Sequence, residues 1–171
     1  MKDYLIFMLK YNRDANIKML QILEGMTEEE RGAERKGYYK SLDALLDHIA
    51  SSMIFWQKAI RSVYPYIACF SQIYYNTKYE RGKISFPLYA DLKKAIQTLD
   101  DNMIGIIEGM SHDDIEKSFS YRLPTTTLNI SPSVIVFRLV NHGVHHRGQV
   151  SQILDELKID NDFSRVQEKY E

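Results

Sequence analysis

Four stretches of this chain repeat apolar residues at three- and four-residue steps, and each is long enough to be a helix. Residues 2–26 carry Leu5, Met8, Leu9, Ile17, Leu20 and Leu23, with Gly25 as a C-terminal stop signal. Ser41 opens a second helix that runs to about Val63 on a stripe of Leu42, Leu45, Leu46, Ile49, Met53, Trp56 and Ile60. Pro65 ends it, because proline cannot continue an i→i−4 ladder. Pro87 suits the first turn of a third helix reaching about Met110, on Leu88, Leu92, Ile96, Leu99, Met103 and Ile107. Ser131 and Pro132 cap a fourth, which extends to about Lys158. One-sided helices must bury their stripes against one another. The pattern therefore predicts an all-α four-helix bundle, with residues 1–171 as a single domain.

The connections carry their own signals. Thr27-Glu28-Glu29-Glu30 reads as a capping box opening a short helical turn, and residues 31–40 as a polar loop. Tyr66 to Tyr79 is aromatic and of open assignment, and Arg81-Gly82-Lys83 is a break. Ser111 to Pro132, with its run of three threonines and two prolines, is too long for a simple turn. It reads as an irregular segment or short hairpin before the last helix. The polar tail after Asp160 has one apolar anchor, Phe163.

Charge narrows the function classes. The formal net charge is −1, and the paired lysines Lys36/Lys40 and Lys93/Lys94 lie among acidic residues. A phosphate backbone needs a basic patch, so nucleic acid is not an expected partner. No apolar run approaches the ~18 residues of a membrane span. The N-terminus lacks the charged region and cleavage site of a signal peptide. The one cysteine, Cys69, allows no intramolecular disulfide, which agrees with a reducing, cytoplasmic setting.

The histidines point to chemistry. Three of the five fall within Asn141-His142-Gly143-Val144-His145-His146-Arg147. Imidazole is a ligand for zinc, nickel, copper and iron, and two histidines four apart share one face of a helix. At about 100° per residue, His146 lies within the stripe of Ile135, Leu139, Val150, Ile153 and Leu157. His142 lies at its edge, and His145 on the flank with Arg138, Gln152 and Glu156. The inward pair is thus His142 and His146. Two imidazoles make a weak site. His48, beside the apolar stripe of the second helix, is the candidate third ligand. Three protein ligands leave a coordination position open for water or a substrate thiolate, as in catalytic sites. The alternative is a purely structural cluster of packed or helix-terminal histidines. His112, at a loop-to-helix start, reads as exposed.

Other site classes lack their residues. There is no Gly-x-Ser-x-Gly elbow and no phosphate-binding glycine loop. Cys69 has no histidine near it in sequence. Trp56 and the tyrosines read as core and interface residues rather than a cofactor box.

The segment Asn141 to Gln149 resembles the hallmark of the DinB-like family of metal-binding helical bundles: a histidine, three residues, a second histidine, then Arg-Gly-Gln. Here these are His142, His146, Arg147, Gly148 and Gln149. Leu45-Leu46-Asp47-His48 with Trp56 resembles the family's second helix, and Tyr11-Asn12 with Asn16 its first. Tyr39-Lys40-Ser41-Leu42 is similar to its loop-to-helix segment. The resemblance implies an up-down-down-up bundle and a site of His48, His142 and His146 holding zinc or nickel. It implies Arg147, Gln149 and His145 as candidate residues behind the ligands, and frequent homodimers. Some relatives transfer low-molecular-weight thiols, so a metal-dependent S-transferase or hydrolase is one expectation. A non-catalytic, metal-binding dimeric stress protein is the other. The third helix or the Tyr64–Tyr79 stretch is the expected dimer surface.

Overall fold

A computed structural model describes residues 1–67, 86–163 and 166. The chain is mainly helical. Four long helices, α1 (Lys2–Glu24), α3 (Leu42–Val63), α4 (Tyr89–Gly109) and α6 (Pro132–Glu156), carry the core. Two short helices, α2 (Glu28–Gly32) and α5 (His112–Glu116), and a hairpin of β1 (Phe119–Arg122) and β2 (Thr127–Ile130) connect them. Among the described residues no helix is long and apolar enough to cross a membrane.

The helix ends follow local chemistry. Thr27 accepts from the Glu30 backbone N–H while the Glu30 carboxylate accepts from the Thr27 N–H, which is the expected capping box. Ser41 and Ser131 cap α3 and α6 through their hydroxyls, and Pro132 takes the first position of α6. Pro87 departs from expectation: it precedes α4, whose N-cap is the extended Leu88. Just upstream, the Phe86 N–H donates to buried Asp47 at 3.0 Å. The region between Ser111 and Pro132 resolves into α5 and the antiparallel hairpin, with Phe119 paired to Ile130 at the buried end. Phe163 is buried and anchors the tail. Cys69, Arg81-Gly82-Lys83 and most of the Tyr66–Tyr79 stretch lie outside the described residues.

Packing joins each long helix to two neighbours: α1 and α3 each pack against both α4 and α6. Lys2 reaches the carbonyls of Glu108 and Met110, while Glu24 at the other end of α1 pairs with Lys93. Gln57 on α3 donates to the Leu99 carbonyl on α4 at 2.7 Å. The Arg138 guanidinium on α6 lies 5.7 Å from the ring centre of Trp56 on α3. Leu5, Leu20, Leu46, Ile49, Ile60, Ile96, Leu99, Ile135 and Leu154 share one buried cluster, and Trp56 is in it. The tyrosines divide: Tyr64 is buried, whereas Tyr4, Tyr38 and Tyr66 are exposed.

The contact of α1 with α6 is close at one point. A Cβ on Gly143 would stand 2.5 Å from Oδ1 of Asn12 and 2.9 Å from a guanidinium nitrogen of Arg147. Gly148, on the same helix, has nothing within 4 Å of that position. Gly143→Ala is therefore expected to destabilise the fold by about 1–3 kcal/mol through overpacking. Gly148→Ala should be neutral or slightly stabilising, since alanine is the better helix former. Urea midpoints test the pair; similar responses at both glycines would refute the close approach.

Candidate metal centre

His48 projects from α3 and His142 and His146 from α6. Their rings meet because these two helices pack together. Nε2 of His142 lies 2.9 Å from Nε2 of His48 and 3.0 Å from Nε2 of His146. One ligand atom from each of the three falls within 4.8 Å of the others, so the cluster can hold a metal ion. Two nitrogens on one tetrahedral ion at ~2.1 Å stand about 3.4 Å apart, so a small outward shift of the rings would seat one.

Protonation states favour a cation at the centre. Burial, and then the neighbouring His146 imidazole, push His48 down to about 4. Burial and the surrounding imidazoles bring His142 to about 4 as well. Burial also lowers His146, against the opposing hydrogen bond with Gln149. The rings are neutral at pH 7, as metal ligands must be. Nδ1 of His146 donates to Oε1 of Gln149 at 2.7 Å, which leaves its Nε2 as a lone pair turned to the cluster. A proton on Nε2 of His142 can serve either close contact well, but not both. A cation at the centre satisfies all three nitrogens.

The other expected residues separate in role. Gln149 holds His146. His145 is exposed, its ring centre 4.8 Å from that of His146. Arg147 is buried and reaches away from the cluster. One of its guanidinium nitrogens donates to Oδ1 of Asn12 at 2.8 Å and of Asn16 at 2.6 Å. The two amides in turn donate to Asp100 on α4, Asn16 at 2.9 Å and Asn12 at 3.4 Å. Two asparagines thus bridge a buried cation and a buried carboxylate. His112 is exposed at the start of α5, as expected.

Two features went unassigned at the level of sequence. Asp100 interrupts the apolar face of α4 between Ile96 and Met103, a buried-charge signal that the periodicity contained. Tyr39, in the loop before α3, packs on the cluster: its ring centre is 4.6 Å from that of His48 and 5.6 Å from that of His146. Its distance in sequence from either histidine hides the contact. Beyond Tyr39 lies a cleft of about 770 Å³, lined by residues 34–39 of the loop and by His145, Gln149 and Gln152 of α6.

A helical protein with three convergent histidines near a surface cleft defines the class. The DinB family model matches residues 1–157, and the chain belongs to that family. Its fold is similar to the crystal structure of a DinB-like protein, YjoA of Bacillus subtilis. The TM-score is 0.58 at 12% identity, over 90% of this chain and 94% of that one. No curated protein matches the chain.

Burial pushes the Asp100 carboxyl up to about 7, against Asn16 and Arg147, which favour its charge. An unfolded aspartate titrates near ~3.9. The folded state therefore binds this proton more tightly. The group's contribution to stability is full below about pH 4 and is lost as pH rises through about 7. Relative to wild type, Asp100→Asn should gain stability between pH 4.5 and pH 8, by about 3 kcal/mol. Urea unfolding of both proteins at the two pH values checks this. Histidine titration is common to both and cancels, so a pH-independent difference would sink the assignment.

Proposed function

We propose that His48, His142 and His146 hold one divalent metal ion, zinc or nickel, and that the site serves a metal-dependent transferase or hydrolase acting with a low-molecular-weight thiol. The observation that carries the reading is the convergence of three Nε2 atoms beside a solvent-open cleft. Three protein ligands leave a position free, the arrangement of catalytic rather than closed structural sites. Bound there, the metal would supply Lewis acidity, lowering the pKa of a thiol or water.

The chain's own residues supply the rest. Gln149 fixes the ring of His146. Tyr39 packs against His48 and forms the wall between the cleft and the cluster, so a substrate in the cleft meets the site past this ring. Arg35, Lys36, Gln152 and His145 line the cleft and offer polar contacts to the substrate.

The stacking of Tyr39 favours a second reading. A ring packed over the cluster also suits a non-catalytic, dimeric stress protein in which the metal is structural. The helix directions support the up-down-down-up order: Lys2 and Glu24 meet opposite ends of α4, whereas Asn12 and Asn16 meet Gly143 and Arg147 in the same sense on α6. A cytoplasmic homodimer remains part of the proposal.

Metal content tests the site. Tag-free protein should carry about one equivalent of zinc or nickel, and His146→Ala should lose it. Absence of metal from wild type even after reconstitution would refute the reading. Cobalt-substituted protein separates the two functions. Added thiol should shift the visible spectrum if a coordination position is open, and Tyr39→Ala should speed or strengthen that response. A spectrum unmoved by thiol in both proteins assigns the metal a structural role.

A further inference from the structure

Behind the histidine cluster, on the side away from the surface cleft, lies a small internal cavity of about 10 Å³. Its wall includes His142, Gly143, Asn12, Asn16, Asp100 and Met103. That volume is about one water-sized sphere, and four of these residues bring polar side chains. The cavity therefore meets both requirements for an ordered buried water: room for one molecule and several hydrogen-bonding partners.

The groups around it have unequal needs. Oδ2 of Asp100 accepts from Asn16 at 2.9 Å, but among the described residues Oδ1 has only the long 3.4 Å contact with Asn12. That oxygen has capacity for a further donor. His142 turns Nε2 toward the other two histidines. Among the described residues nothing accepts a hydrogen bond from its Nδ1. A metal-binding histidine ordinarily donates through its second nitrogen to a carboxylate, carbonyl or water, as His146 does to Gln149. Arg147 does not line the cavity, and its Nη1 donates to Oδ1 of both asparagines.

We propose that one water molecule in this cavity accepts the Nδ1 proton of His142 and donates to Oδ1 of Asp100, making Asp100 a positioning residue for the metal ligand His142. The inference rests on the metal reading above. In it, α1 and α4 support a site whose ligands lie on α3 and α6. Asn12 and Asn16 hold the carboxylate in place, and Gly143 lets Asn12 approach. The relay presents the Nε2 lone pair of His142 to the cluster without a side chain in direct contact with it.

The test uses the zinc-loaded full-length chain and nuclear magnetic resonance of the His142 ring. The Nδ1–H proton should show a cross-peak to a long-lived water and exchange slowly with solvent. Asp100→Asn should speed that exchange and weaken zinc binding about 10- to 100-fold. Asp101→Asn, at the exposed neighbouring position, should leave both unchanged. Met103→Phe fills the cavity while keeping Asp100 and its asparagines, so it should also abolish the water cross-peak; this covers the case in which Asp100→Asn does not fold. Zinc binding with no water cross-peak in wild type overturns the relay alone. Weaker zinc binding in Asp100→Asn with unchanged Nδ1–H exchange overturns it too, and leaves Asp100 a structural role. A wild-type chain that takes up no zinc overturns the metal reading, and the relay with it.

Discussion

A guanidinium cannot sit in an apolar core without partners, and the way Arg147 meets that demand organises much of this molecule. A buried charge left uncompensated costs several kcal/mol, so its ligands must be held in place. Here they come from two other helices: Asn12 and Asn16 on α1, and through them Asp100 on α4. Each asparagine accepts from the cation with its oxygen and donates to the carboxylate with its nitrogen. A neutral amide can do both at once, because its oxygen accepts while its nitrogen donates. The network thereby fixes how far α1 and α4 can rotate or slide relative to α6.

The histidine cluster inherits that order. His146 is adjacent to Arg147, so the register that satisfies the guanidinium also points His142 and His146 toward α3. Apolar packing of α3 on α6 then brings up His48. Three neutral imidazoles with converging lone pairs are not a comfortable arrangement by themselves. Their burial lowers their basicity and keeps them available to a cation rather than to protons. Gln149 on one side and Tyr39 on the other restrict the rings further.

The same logic explains the small residues of the last helix. Gly143 sits where α1 approaches, and any side chain there would push Asn12 from the guanidinium. Gly148 has open space around it and no such duty. Two glycines five residues apart thus differ in what they do, and the difference lies entirely in what faces them.

The sequence by itself determined the four long helices, the serine caps of α3 and α6, and the inward direction of His142 and His146. Those follow from local rules: apolar periodicity, serine and threonine caps, and the angular spacing of side chains on a helix. The same periodicity marked His48 as a boundary residue, whereas Asp100 went unassigned although the pattern of α4 contained it. Only the tertiary structure decided that His48 meets the pair on α6, since that depends on the register between two helices about ninety residues apart. It likewise decided that Tyr39 covers the cluster, that Arg147 turns away from it, and that the asparagines of α1 join Asp100 to Arg147. Such contacts are set by how helices stack, and no pattern within one helix encodes the identity of the residue that will face it.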